Sequence, residues 1–255
     1  MKTACMAVLL ALASASMFAQ SPFDGKWQLN QQKSDMTGHT MKIEDAGNGA
    51  IKFVGPNFTT TVKTDGTKAQ TPAGATMAMQ KKSDDSYHET DWMKGKEISQ
   101  SDWTLSNDGK NLTIHEYGTN PNGEKFDNTT DYNRLSGSDG LIGEWKTSSV
   151  KIGTPEWFTM KLSGDELNWE IPAIKGMLKA PLNGKDVHPS GPTVPESLTL
   201  AITKKDPRTL DVTEKLQGKT IFSGTYTVSP DGKTMTVEGK NAKGEATKQV
   251  WEKQG

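Results

Sequence analysis

SNDGKNLTI (106–114) and SPDGKTMTV (229–237) are nearly the same nine residues, written twice and 123 positions apart. Each reads as the end of one strand, an Asp-Gly turn and the start of the next. Glycine accepts positive φ, and aspartate bonds back to the turn backbone. Beyond the turn, apolar and polar residues alternate, with Leu112 and Ile114 on one face in the first copy and Met235 and Val237 in the second. A period of two is the mark of a half-buried antiparallel strand.

The duplication extends well past these nine residues. FDGKWQL (23–29) is echoed by LIGEWKT (141–147), which places Trp27 and Trp145 118 positions apart. TDG (64–66) and LNG (182–184) keep that offset. KGKEIS (94–99) and QGKTIF (217–222) follow at 123, so about five residues are inserted between 185 and 200. NGEKFDNTTDYNR (122–134) resembles KGEATKQVWEK (243–253) at an offset of 119. Collinear landmarks at both ends and in the middle predict two tandem repeats, 22–136 and 140–254, joined at LSGSDG (135–140). The competing reading is a single continuous sandwich.

Further alternation runs through SLTLAIT (197–203), SDWTLS (101–106) and TIFSGTYTVS (220–229). Turn pairs recur at Asp65-Gly66, Asn122-Gly123, Asn183-Gly184 and Lys243-Gly244. The expected fold class is all-β, with two tandem antiparallel meanders of seven to eight strands each. Closure into barrels removes exposed edges, and a two-sheet sandwich is the alternative. AIKGMLKA (173–180) is the best candidate for a short helix, and a strand fits it equally.

The first nineteen residues read as a secretory leader. Lys2 is followed by a small, apolar run to Ala19, with cleavage expected at Ala19-Gln20, or else at Ala15-Ser16. The run is too short to span a membrane, and no later stretch is longer. Cys5 is the one cysteine of the 255 residues, so the mature chain carries neither disulfide nor thiolate chemistry. The localisation expected from the leader is periplasmic or secreted. Net charge is −1 with the signs interspersed, which gives no basic face for nucleic acid.

The G-x-W openings at Gly25-Lys26-Trp27 and Gly143-Glu144-Trp145 resemble the first strand of lipocalin-like (calycin-type) β-barrels. The chain resembles a repeat of such barrels, of the exported bacterial type that begins G-x-W-x-L. The resemblance implies that a basic residue from the last strand covers the tryptophan of the same repeat. Arg134 fills that role for the first half, over Trp27, and Lys253 for the second, over Trp145. It also implies a small apolar ligand inside the barrel.

No chemistry-bearing motif stands out. The four histidines form no H-x-H or H-E-x-x-H pair, and there is no G-x-S-x-G, Walker or G-x-G-x-x-G pattern. No metal site and no cofactor are expected. His88, Glu89 and Asp91 read as polar surface on a strand. Asp91, Glu97, Asp102 and Glu116 are the carboxylates open to a glycosidase-type pair. Trp92, Trp103, Trp157, Phe158 and Trp169 are the candidate ligand-binding aromatics, with core packing as the other reading. Trp157 and Phe158 are adjacent, so on a strand one of them faces a second surface. KAPLNGKDVHPSGPTVPESL (179–198) has the composition of a lid, a contact surface or spare loop. The expected function is an exported, non-catalytic binding protein for a small apolar or amphipathic molecule. A structural or protein-interaction module of the cell envelope comes second, and a carboxylate-based hydrolase third. Oligomeric state is not legible.

Overall fold

The computed structural model describes residues 20–55 and 59–255, so the leader read at 1–19 lies outside them. Strand β1 (Gly25–Leu29) comes first. Ten strands follow: β2 (Thr40–Gly47), β3 (Ala50–Val54), β4 (Thr59–Lys63), β5 (Asp65–Gln70), β6 (Ala75–Lys81), β7 (Ser86–Met93), β8 (Lys96–Leu105), β9 (Asn111–Thr119), β10 (Lys125–Asp139) and β11 (Ile142–Ile152). The rest are β12 (Trp157–Ser163), β13 (Glu166–Ile171), β14 (Gly176–Pro181), β15 (Leu198–Asp206), β16 (Thr209–Leu216), β17 (Lys219–Val228), β18 (Thr234–Asn241) and β19 (Ala246–Gln254). AIKGMLKA is the strand β14 led by a short 3₁₀ turn at Pro172–Ile174. No helix among the described residues is long and apolar enough to cross a membrane.

Two antiparallel sheets result, and each nearly closes into a barrel. The ten-stranded sheet runs β4-β3-β2-β11-β10-β9-β8-β7-β6-β5. The nine-stranded sheet runs β14-β13-β12-β1-β19-β18-β17-β16-β15. Both exceed the seven or eight strands expected. Some of the extra strands are made by turns that composition did not mark. At Lys94-Gly95 and Gln217-Gly218 the residue before glycine itself takes φ of 51° and 52°.

The sheets are not the two halves of the chain. β1 lies between β12 and β19, with Trp27 opposite Phe158 on one side and Lys253 on the other. β11 lies between β2 and β10, with Trp145 opposite Met41 and Arg134. Each half therefore gives its G-x-W strand to the other half's sheet, and the boundary drawn at 136–140 divides neither. The physical cause is the junction. Asp139 pairs with Ile142, so only Gly140 and Leu141 turn the chain. Two residues can only join neighbouring antiparallel strands. β11 is thereby held against β10 and takes the first-strand place in the ten-stranded sheet. β1 fills the equivalent place in the other.

The segment after β1 carries the chain between sheets. It bends through a 3₁₀ turn at Gln31–Lys33, where the Asn30 side chain accepts from the Lys33 N–H at 3.1 Å. It then bridges Asp35 to Lys248 before β2 begins.

Each sheet has its own core. Trp27, Phe158, Leu167, Ile202, Leu210 and Met235 are among those packed in the nine-stranded sheet. Trp145, Ile43, Val62, Met79, Leu112 and Leu141 are among those in the ten-stranded one. Closure differs between them. In the ten-stranded sheet β4 and β5 lie together without a ladder, and the Thr60 hydroxyl donates to the Gln70 carbonyl at 3.5 Å. In the nine-stranded sheet the Pro/Gly-rich insertion closes the gap. Bridges Met177↔Ser190, Val187↔Leu200 and Asn183↔Thr203 stitch it to β14 and β15. Its own Leu182 and Val194 are buried, so this stretch is part of the wall.

Candidate functional site: a cavity shared by two sheets

The G-x-W anchors repeat atom for atom. The Trp27 indole N–H donates to the Phe23 carbonyl at 2.8 Å, and that of Trp145 to the Leu141 carbonyl at 2.9 Å. The guanidinium of Arg134 lies 4.0 Å from the Trp145 ring, and the ammonium of Lys253 lies 4.8 Å from the Trp27 ring. The pairing expected from the resemblance, Arg134 with Trp27 and Lys253 with Trp145, is thus crossed, because the first strands are exchanged. Arg134 also donates to the carbonyls of Gly109, Gly140 and Ile142. Lys253 reaches only the Pro22 carbonyl, at 2.8 Å.

A cavity of about 530 Å³ lies among the wall residues of both sheets. Phe158, Trp169, Leu200, Tyr226 and Trp251 of the nine-stranded sheet form its apolar side. Three ring pairs join the aromatics: Phe158 to Trp251 at 4.5 Å, Phe158 to Trp169 at 5.3 Å, and Trp169 to Tyr226 at 5.7 Å. Glu116, Phe126 and Asn128 of β9 and β10 face it from the ten-stranded sheet. The β11–β12 connection, through Pro155 and Glu156, runs along its rim.

Of the five aromatics singled out from sequence, Trp157, Phe158 and Trp169 line this cavity. Phe158 is core, and Trp157 turns to the other face, where the Lys26 ammonium sits 3.9 Å above its ring. Trp92 and Trp103 lie elsewhere. Trp92 carries Lys68 over its ring at 3.9 Å, and Trp103 packs on Phe53 in the core of the ten-stranded sheet. Sequence reading passed over Trp251, Tyr226, Glu156 and Glu214, and named Glu116 only among the acids open to a glycosidase-type pair. The missed signal is an acid in an apolar row: Leu210, Val212, Glu214 and Leu216 alternate on one face of β16.

Burial pushes the carboxyls of Glu214 and Glu116 above the ordinary range, and the charge of Asp91 adds to the effect on Glu116, whereas Glu156 stands exposed at the rim. Burial likewise raises the Tyr226 hydroxyl, with Glu214 as its charged neighbour. The equivalent row on β7 is Tyr87, Glu89, Asp91 and Met93. Glu89 is only 5 % exposed, so the polar-surface reading of this stretch is corrected. His88 does face outward, where its Nδ1 lies 2.8 Å from Asp102. Desolvation holds Glu89 well above its usual range, and the neighbouring Asp91 adds to it by charge and hydrogen bond. Asp91 is raised by the same burial, although the Ser99 hydroxyl donates to it at 3.2 Å. The Trp103 indole lies beside Glu89 without reaching hydrogen-bond geometry. Glu97 and Asp102 are exposed. No group of three metal-ligating side chains is assembled among the described residues.

No protein-family model, curated protein or solved structure matches this chain. The fold and the site define it as an all-β protein of two nearly closed antiparallel barrels around a shared aromatic cavity.

Proposed function

We propose that this chain is an exported, lipocalin-like binding protein that holds a small apolar or amphipathic molecule in the cavity between its sheets. The observation that carries the reading is the cavity itself. At about 530 Å³ it is within the range of small-molecule sites, and its wall is mainly aromatic and aliphatic with few polar groups. A leader at 1–19 supports export, and the paired G-x-W anchors support the lipocalin-like comparison. The envelope-module reading calls for a contiguous apolar patch on the outside. Among the described residues only Leu135 and Met177 are large exposed hydrophobics, and Met177 borders the cavity. The hydrolase reading has the Glu89–Asp91 pair as its support, and that pair lies outside the cavity wall.

Native mass spectrometry of the mature chain, purified without denaturant, tests the proposal. The expected result is a retained molecule of a few hundred daltons, lost in Leu200→Trp, which fills the cavity. A chain that carries nothing, and takes up no member of an apolar and amphipathic compound set, rejects it.

A further inference from the structure

Every charged side chain that lines the cavity is acidic: Glu116, Glu124, Glu156 and Glu214. Among the described residues, no lysine, arginine or histidine borders it. Glu124 sits at the edge and accepts from the Asn122 amide at 2.8 Å. Among the described residues, none of Glu116, Glu156 and Glu214 has an ion-pair partner within the protein. Elsewhere the molecule does pair its acids: Glu44 has Lys42 and Lys52, and Glu252 has Lys33. The cavity wall thus holds carboxylates without cations, with Glu116 and Glu214 half-buried and Glu156 exposed at the rim.

A second observation is independent of the acids. Trp169, a wall residue only 7 % exposed, has a buried indole N–H with no partner. An orphaned buried donor marks a place for a bound molecule, since an acceptor atom on its body would remove the cost; an ammonium group itself offers none. Trp169, Trp251 and Phe158 also line the cavity, and aromatic rings attract cations, most strongly where water is excluded.

We infer that the cavity selects organic cations, meaning a protonated or quaternary amine on an apolar body, and this rests on the binding function proposed above. An anionic ligand would bring a further negative charge beside carboxylates that have no cation. A neutral apolar one would take away the water that solvates them and return nothing. An ammonium group supplies the missing partner to Glu214 or Glu156 and lies on the aromatic faces, while its apolar body fills the space against Leu200 and Leu178.

The test compares benzyltrimethylammonium with its uncharged carbon isostere, neopentylbenzene, by tryptophan fluorescence titration of the mature chain. The cation is expected to bind roughly tenfold more tightly or better. The double variant Glu156→Gln/Glu214→Gln is expected to reduce cation affinity at least about fivefold and leave the isostere unchanged. Near-UV circular dichroism shows that the variant is folded. Equal affinity for both probes, or a cation affinity untouched by the double variant, overturns the charge selectivity and leaves the binding function standing. A retained native ligand that is neutral or anionic does the same. If neither probe binds and no molecule is retained, both readings fall.

Discussion

Arg134 stacks on Trp145, eleven positions further along the chain, and not on Trp27 of its own repeat. It belongs to β10, the last strand of one repeat, and Trp145 to β11, the first strand of the next. Their contact is where the exchange of strands is fastened. The same side chain satisfies three backbone carbonyls, at Gly109, Gly140 and Ile142, around the two-residue turn that causes the exchange.

Arg134→Ala should therefore cost more than Lys253→Ala. The first leaves three part-buried acceptors without a donor and bares the ring of Trp145, a loss of about 3 kcal/mol. The second removes one hydrogen bond and a more distant cation, about 1 kcal/mol. Urea unfolding of the two variants gives the comparison. Equal costs would mean that the Arg134 hydrogen bonds add nothing to the stack.

The exchange predicts which pieces of the chain fold. Residues 22–136 keep β1 but lack β11, so β2 and β10 become edges and Arg134 loses its ring. Residues 38–154 hold all ten strands of one sheet. The fragment 38–154 should unfold cooperatively and show dispersed amide resonances, and 22–136 should do neither. A folded 22–136 would show that β1 can take the place of β11, which the assignment of strands here does not allow.

Neighbouring aromatics on β12 should behave differently. Phe158 touches both Trp169 and Trp251 inside the sheet, so Phe158→Ala opens a core cavity and costs about 3–5 kcal/mol. Trp157 is half-buried on the other face under Lys26. Trp157→Ala should cost about 1 kcal/mol and keep the fold. Equilibrium denaturation decides the matter, and equal losses would place both rings in the core.

The buried acids set a pH dependence. Glu89 holds its proton in the fold at pH values where the unfolded chain has released it, the unfolded value being near 4.5. Native protein then binds more protons than unfolded protein, and stability falls as pH rises from that value through the raised one. Asp91, Glu116 and Glu214 act in the same direction. Turn acids such as Asp108 and Asp231 are held low by hydrogen bonds from Ser106 and Ser229, and they oppose this only in more acid solution. The melting temperature should peak at about pH 5 and decline towards pH 8. Glu89→Gln should flatten the decline. Parallel curves for parent and variant would remove Glu89 from the explanation.

Much of the candidate site was hidden for a reason visible in two rows of residues. On β16, Glu214 continues the inward row of Leu210 and Val212, and on β7, Glu89 and Asp91 continue that of Tyr87. A lone acid in an alternating strand reads as solvated surface, because charge is usually exposed. Only the neighbours supplied by other strands show that it is inside. Phe158 and Trp169 were recognisable as aromatics worth weighing, but Trp251 and Tyr226 complete their cluster from strands far away in sequence.

Local chemistry was enough to establish two copies of one strand-and-turn programme and the two G-x-W anchors. Alternation, Asp-Gly turns and the tryptophan positions are all properties of short stretches. Which barrel each anchor enters is another matter. Trp27 and Trp145 make the same hydrogen bond and accept the same kind of cation, so either fits either place. The choice was made in three dimensions, by the two-residue turn at Gly140-Leu141 that cannot let β11 leave β10.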